Sequence, residues 1–411
     1  MNKIVIIGAG VIGAASALTL QREGHNVLLI DRDSPCSGAS FGNAGGIVNG
    51  SCVPTAMPGI LFDVFKLIGK PLSPLTIRPA YLHKISPWLI RFIWQSRQVT
   101  VEKNALCLYN LSKNAVSNWK QLTLQTPLAN LLRDTGWLKV YESDKAFNNT
   151  KRNLALHKQT GSSYEILSSH QIMDLEPNLA PIFKHGFYQK DSLSISNPEK
   201  LVVGMVDLFI KNGGKYKQFS VESLNTQGNS ITLNGSTGTL KANKVIIAAG
   251  AWSKQLAKQI GDAIPLDTER GYHLMFPQST GTLLKRPVLN GENSFVLAPM
   301  ETGMRLTSQI EFSGIDAEPN YSRVRSLVPS AKRMLPNLDT SEKSVWMGGR
   351  PSLPDSLPVI GFSKRSKNVL YAFGHQHLGM TLGATTATII SNLINNKTPQ
   401  IPMSPYSANR F

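Results

Sequence analysis

Six residues near the start of the chain, Gly8-Ala9-Gly10-Val11-Ile12-Gly13, have the spacing of a phosphate-binding turn, and an acid, Asp31, follows 23 positions after Gly8. Each glycine has a separate task in such a turn. Gly8 permits the tight bend, Gly10 lets the backbone approach a pyrophosphate, and Gly13 lets a helix lie close on the preceding strand. The helix N-terminus offers unpaired N–H groups and partial positive charge to the phosphates, and the acid falls where a ribose hydroxyl would be held. The alternative is a glycine-rich turn without a ligand. A second small-residue loop, Gly38–Gly46, reads GASFGNAGG and could admit a bulky planar ring against the backbone; the alternative there is a mobile surface loop. The first turn does not separate FAD from NAD; this second loop favours FAD.

The flanking elements fit that chemistry. Lys3–Ile7 is a short apolar, β-branched run and predicts a buried parallel strand. Val11–Arg22 predicts a helix that Gly24 would close, and Val27–Ile30 a second strand ending in Asp31. Strand, glycines, helix, strand and acid therefore occur in the required order. The first twenty residues also have the apolar run of an export leader, but the three glycines and the following strand argue for a folded βαβ start. No later run reaches about 18 uncharged apolar residues, so no membrane-crossing helix is expected.

The chain has 411 residues, long enough for two domains. Hydrophobic residues make up 41% and charged residues 17%, an ordinary globular composition. Three cysteines, Cys36, Cys52 and Cys107, form no CxxC pair, which points away from a metal site or disulfide framework and towards a reducing compartment. Lys and Arg number 43 against 26 Asp and Glu, a net charge of +17. That excess suggests an acidic partner or a bias of composition. The basic residues are scattered, with no zinc-finger spacing or RNA-binding signature, so nucleic acid is not expected.

Five separated motifs, in order from residue 1 to about 400, resemble the DAO family of D-amino acid oxidases and dehydrogenases. They are GAGVIG with Asp31; Ser40-Phe41-Gly42-Asn43-Ala44-Gly45-Gly46; Lys244–Ser253, KVIIAAGAWS; Gly349-Arg350-Pro351 with Asp355 and Pro358-Val359-Ile360-Gly361; and Gly374-His375-Gln376-His377-Leu378-Gly379-Met380-Thr381. Within the family the chain is most similar to the bacterial D-amino acid dehydrogenase small subunit, with D-hydroxyproline dehydrogenases nearly as similar. The resemblance implies an α/β fold: a Rossmann-like FAD-binding domain interleaved with an α+β substrate domain built on an antiparallel sheet. We expect residues 1–50, 196–262 and 344–411 in the FAD-binding domain, and 51–195 and 263–343 in the substrate or cap domain. Asn197–Lys211 predicts a helix and Gly214–Leu224 a strand region.

By the same resemblance, noncovalent FAD is expected to meet Gly8, Gly10, Val11, Ile12 and Gly13 in the first turn, with Asp31 and Arg32 beyond it. The loop contributes Ser40, Asn43, Ala44, Gly45, Gly46 and Ile47. Val221 resembles the residue whose backbone meets adenine, and Ala249, Gly250 and Trp252 follow the later strand. Gly349, Gly374, Leu378, Gly379, Met380 and Thr381 complete the set. A helix starting after Gly379 would aim the N–H groups of Met380 and Thr381 at the negative charge that reduced flavin carries.

The implied reaction moves a hydride from Cα of a D-amino acid to flavin N5. The imino acid is then hydrolysed to a 2-oxo acid and ammonia. Arg presents a planar fork that matches a carboxylate in two parallel hydrogen bonds, and the resemblance gives that role to Arg350. The flanking Gly348-Gly349 and Pro351 make a rigid setting for it, against the alternative of a surface ion pair. Tyr272 is implied as a second carboxylate contact; packing is the alternative. His273 should point to the other face of the strand. His375, Gln376 and His377 are candidates for shaping the pocket, and Gln376 and His377 depart from the smaller residues that many family members carry. The substrate is thus a D-amino acid or a cyclic imino acid such as D-proline or D-hydroxyproline. No dedicated base is evident.

Residues 59–97 carry Lys66, Lys70, Arg78, Lys84, Arg91 and Arg97 against the single acid Asp63, interleaved with Phe62, Phe65, Tyr81, Trp88, Phe92 and Trp94. Basic residues beside aromatics suit the headgroups of an anionic membrane, where a quinone would take the electrons. A helix packed on the core is the alternative. We therefore expect a cytoplasmic protein with a peripheral seat on the inner face of the cell membrane; a soluble oxidase using O₂ is the competing expectation.

Overall fold

The computed structural model describes residues 3–59, 75–228 and 230–411. Two sheets organise them. The first has six strands in the order Lys215–Gln218, Asn26–Asp31, Lys3–Ile7, Lys244–Ile247, Val369–Phe373 and Val359–Phe362. All neighbours run parallel except the last pair. Its central strands are apolar on both faces because both faces are covered. Helices Val11–Arg22, Pro198–Lys211 and Gly379–Ile394 cover one face. The helix Ser253–Ile260 and the antiparallel meander Ser223–Gln227, Ser230–Gly235 and Gly238–Ala242 cover the other.

The second sheet has nine strands. Its main path runs Ser344–Ser352, Asp267–Met275, Gly303–Phe312, Phe295–Met300, Val288–Asn290, Trp137–Tyr141, His185–Gln189 and Glu165–Ser168. Leu75–Ile77 pairs with Gly303–Phe312 off this path. Six of the pairings along the path are antiparallel, and Val288–Asn290 pairs with Trp137–Tyr141 in parallel. One face packs on Leu138, Val140, Tyr272, Leu274, Phe295 and Leu306. The other face is the wall of the cavity described below. This is the expected α/β architecture with an antiparallel-sheet companion. The expected division at residue 344 does not coincide with the sheets, however. Ser344–Ser352 is an edge strand of the large sheet, paired along its whole length with Asp267–Met275.

The helix Leu82–Gln95 resolves half of the basic, aromatic stretch. Its face Ile85, Trp88, Leu89 and Phe92 is core, with Trp88 and Phe92 stacked at 4.9 Å, so these two aromatics do not face outward. Ile90 and Trp94 are exposed, at 68% and 62%. Phe62, Asp63, Phe65, Lys66 and Lys70 lie outside the described residues. No described helix is long and apolar enough to cross a membrane.

Candidate functional site

A cavity of about 1000 Å³ runs between the two sheets, from Gly8 and Asp31 at one end to Arg350 and His377 at the other. Its nucleotide end is built by the first βα turn. Gly8 has φ +110°, and a Cβ there would lie 2.4 Å from the carbonyl oxygen of Ala248. A Cβ on Gly13 would lie 1.8 Å from the carbonyl oxygen of Gly8, so helix and strand touch backbone to backbone. The carboxylate of Asp31 accepts from the N–H of Ala9 at 2.6 Å and of Asp33 at 3.1 Å, which fixes it at the cavity rim. Burial raises its proton affinity, and those hydrogen bonds draw it back down. Arg32 stacks on Trp252 with its guanidinium 3.6 Å from the ring centroid. Val221, Ala249 and Gly250 line the same end.

The loop Ser40–Gly46 lines the middle. The hydroxyl of Ser40 accepts from the N–H of Val11 at 3.0 Å, tying loop to helix start. Arg305, from the large sheet, donates to the carbonyl oxygens of Phe41 at 2.8 Å and Asn43 at 2.7 Å. Burial lowers its pKa to about 10. This clamp escaped sequence reasoning because nothing in Gly303–Phe312 resembles a nucleotide motif. Arg305→Met should free the loop and leave its two carbonyls without donors, at about 1.5–3 kcal/mol for each charge-assisted bond. The expected outcome is at least a tenfold rise in the dissociation constant for flavin, read by fluorescence of released cofactor.

The helix Gly379–Ile394 points its first turn into the cavity, with Leu378, Gly379, Met380 and Thr381 all lining it. The Thr381 hydroxyl donates to the carbonyl of Gly46 at 3.2 Å and accepts from the N–H of Val48 at 3.1 Å, joining the helix start to the loop. Of the other residues expected to meet a cofactor, Ala44, Gly46, Ile12 and Gly349 line the cavity. Gly13, Gly45, Ile47 and Gly374 stand behind the lining and shape it through backbone turns and packing. A cavity with a glycine turn and one helix N-terminus at the nucleotide end, and a second helix N-terminus at the far end, fits a long dinucleotide carrying a planar ring.

At the far end, Arg350 projects from the edge strand. Its Nη1 donates to the carbonyl of Gln309 at 3.0 Å. That carbonyl is turned inward by a β-bulge: the register slips between Arg270 and Tyr272, and Gln309 has φ +66°. Gly271 faces the guanidinium, and a Cβ there would lie 2.2 Å from Nη2. Burial lowers the guanidinium's pKa and Glu269 opposes that shift. Glu269 is directly opposite Arg350 in register and 2% exposed, and it too lines the cavity.

His377 is exposed within the cavity, where its enclosure by the cavity walls and the nearby cations Arg350 and Lys139 lower its pKa. His375 is tied by Nε2 to the hydroxyl of Thr386 at 3.0 Å, and burial lowers its pKa to about 3. The buried imidazole of His375 is therefore neutral at ordinary pH, and the two cations disfavour a charge on His377. Gln376 sits at φ +50° and donates to the carbonyl of Leu353 at 3.2 Å. Lys139, on the strand Trp137–Tyr141, also lines the cavity, over the ring of Phe187 at 5.2 Å.

Tyr272 is a correction. It is fully buried on the opposite face of its strand, in the apolar core, where its hydroxyl donates to Glu311 and accepts from the N–H of Asn320 at 3.2 Å. Strand parity decides this: Glu269 and Gly271 take the cavity face, so Tyr272 cannot. Tyr272→Phe should leave turnover within about threefold while lowering stability by about 1–3 kcal/mol, because Glu311 loses a buried donor. Thermal unfolding beside steady-state rates would check both halves.

The sequence profile of a family described as FAD dependent oxidoreductase (DAO) matches residues 3–393. The chain is 33% identical over 416 residues to a protein of Bradyrhizobium diazoefficiens named D-amino-acid oxidase, covering 99% of this chain and 98% of that one. It is 27% identical to a D-amino acid dehydrogenase of Granulibacter bethesdensis, covering 100% and 99%. The solved L-proline dehydrogenase of P. horikoshii superposes with a TM-score of 0.74 at 18% identity, covering 100% of this chain and 97% of that one, which is a likeness of fold.

Proposed function

Because the chain belongs to the DAO family of FAD-dependent oxidoreductases, we propose that it oxidises the Cα–N bond of D-amino acids and passes the electrons to a quinone-type acceptor. The observation that carries this reading is Arg350, a cavity-facing guanidinium with one donor on Gln309 and its remaining edge open to a ligand. The names of the relatives favour D-amino acids. D-proline or D-hydroxyproline is the in-class alternative.

Bound FAD supplies the acceptor for a hydride. The chain's own residues bind, orient and dry the reacting centre. Arg350 takes the substrate carboxylate in a forked pair of hydrogen bonds and so fixes which face of Cα is presented. Gly271 leaves the space that the guanidinium needs. His377, whose charge is disfavoured by two nearby cations, offers hydrogen bonds to a ligand in the cavity. The first turn of Gly379–Ile394 directs N–H groups to where negative charge gathers. The flavin is held without a covalent bond in this reading, so acid precipitation should release it into the supernatant.

The acceptor is tested by supplying a D-amino acid panel with a soluble quinone, and separately with O₂ alone. Quinone reduction without peroxide supports the dehydrogenase; stoichiometric peroxide overturns it in favour of an oxidase. A peripheral seat on anionic lipid is supported by exposed Ile90 and Trp94 with Arg97 3.8 Å over the Trp94 ring. Ile90→Ser with Trp94→Ser should lower sedimentation with anionic vesicles several-fold and leave dye reduction unchanged.

A further inference from the structure

We propose that Lys139 selects the substrate by its side chain: the ammonium takes a second carboxylate, so that acidic D-amino acids are the preferred class. This rests on the amino acid reading above and adds to it what lies beyond Cα.

Lys139 stands in the strand Trp137–Tyr141, and its side chain lines the cavity. It is half-buried, and its ammonium is not one of the polar atoms closed off inside the protein. It makes no hydrogen bond or ion pair among the described residues; beneath it lies the ring of Phe187 at 5.2 Å. A ring face attracts a cation but leaves its N–H donors without an oxygen to accept them. The lining acids stand elsewhere. Asp31, Asp33 and Glu222 are at the nucleotide end, and Glu269 is in register with Arg350. Burial lowers the pKa of Lys139, and no carboxylate opposes that shift. An enclosed cation without an anion is costly, so such groups are normally paired. The occupant of the cavity is left to supply the anion.

The wall gives the shape of that occupant. Lys139, Leu289, Val296 and Thr307 form one row across four strands, all lining the cavity. Arg350 is on the same sheet, two strands beyond Thr307. The row between the two cations adds no charge. His377, from the turn after Val369–Phe373, feels both cations, which sets them around one region of the cavity. A ligand that satisfies both carries two anionic groups joined by a short neutral chain. With the α-carboxylate on Arg350, the second lies at the end of the side chain, as in D-glutamate or D-aspartate. The competing role for Lys139 is a positive charge that favours flavin reduction whatever the substrate.

Anaerobic flavin reduction in the flavin-loaded enzyme separates these roles, since no electron acceptor takes part. D-Glutamate and D-glutamine have nearly one shape and differ in side-chain charge, as do D-aspartate and D-asparagine. In at least one pair the acid should reduce the flavin roughly 10- to 100-fold more efficiently than its amide, the range for a hydrogen bond between charged groups. Lys139→Met should remove that preference by slowing the acid, and leave the amide and D-alanine within threefold. Glutarate and pentanoate, read by their shift of the flavin absorbance band, make the same comparison without turnover: Lys139→Met should weaken glutarate alone. Equal loss for the charged and the neutral member in either comparison, or loss for neither, overturns the proposal. So does a wild type with no preference for the acid in either pair. If Lys139→Met does not retain flavin, Lys139→Gln is read by the same criteria. A wild type bleached by D-alanine but by neither acid overturns this proposal alone; one bleached by no amino acid overturns the functional reading with it.

Discussion

Arg350→Ala is expected to leave the protein yellow and to cut turnover of D-amino acids by roughly 10²- to 10⁴-fold. The range follows from two lost hydrogen bonds to a charged group, about 1.5–3 kcal/mol each. The flavin should stay because Arg350 stands at the far end of the cavity from Gly8 and Asp31, where the nucleotide half is built. Loss falls on binding and on chemistry together, since an untethered carboxylate no longer fixes the direction of the Cα–H bond. Lys in place of Arg should recover little. A single ammonium cannot reproduce the fork, and the Gln309 carbonyl would compete for it. Colour lost with activity, or activity unchanged, would count against the assignment. Steady-state rates with the flavin-to-protein absorbance ratio give both readings at once.

Gly8→Ala is expected to do the reverse. The added carbon would meet the Ala248 carbonyl at 2.4 Å, on a backbone held at φ +110°. Neither can relax cheaply, because Ala248 follows a central strand and its N–H is bonded to the carbonyl of Ile7 at 2.9 Å. The strain alone is worth about 1–3 kcal/mol, before the overlap is counted. The cost falls on the turn from which the helix N-terminus faces the cavity. The protein should purify colourless, with an unfolding midpoint several degrees lower, by absorbance and calorimetry. Wild-type flavin content would contradict the role given to this turn.

The two halves of the site were unequally legible in the sequence. The nucleotide end is written in contiguous residues, because a phosphate turn needs glycines at fixed spacing and a strand and helix beside them. Val11–Arg22 and Gly379–Ile394 stand close to where those patterns put them. The far end of the cavity is assembled from single residues on separate strands of the large sheet: Glu269, Gln309, Lys139 and Arg350. Sheet pairing between residues far apart in sequence brings them together, and no local spacing announces it. A signal for Glu269 existed in retrospect. In DTERGYHLM, a strand buried along its whole length, a charge sits two residues before the glycine that makes room for Arg350. The same parity would have sent Tyr272 to the core, but the neighbouring Arg-Gly drew attention to it. Gln309 was beyond reach, since a bulge in the partner strand turns its carbonyl.

Rapid anaerobic mixing of the flavin-loaded enzyme with D-alanine, D-proline and their L-enantiomers tests the central claim most directly, by the loss of the flavin absorbance band. We predict that D-enantiomers bleach the band within the turnover time, that L-enantiomers do not, and that Arg350→Ala bleaches at least about a hundredfold more slowly at equal concentration. Bleaching indifferent to handedness, or no bleaching by any of the four, would contradict an account in which one guanidinium orients Cα towards the flavin.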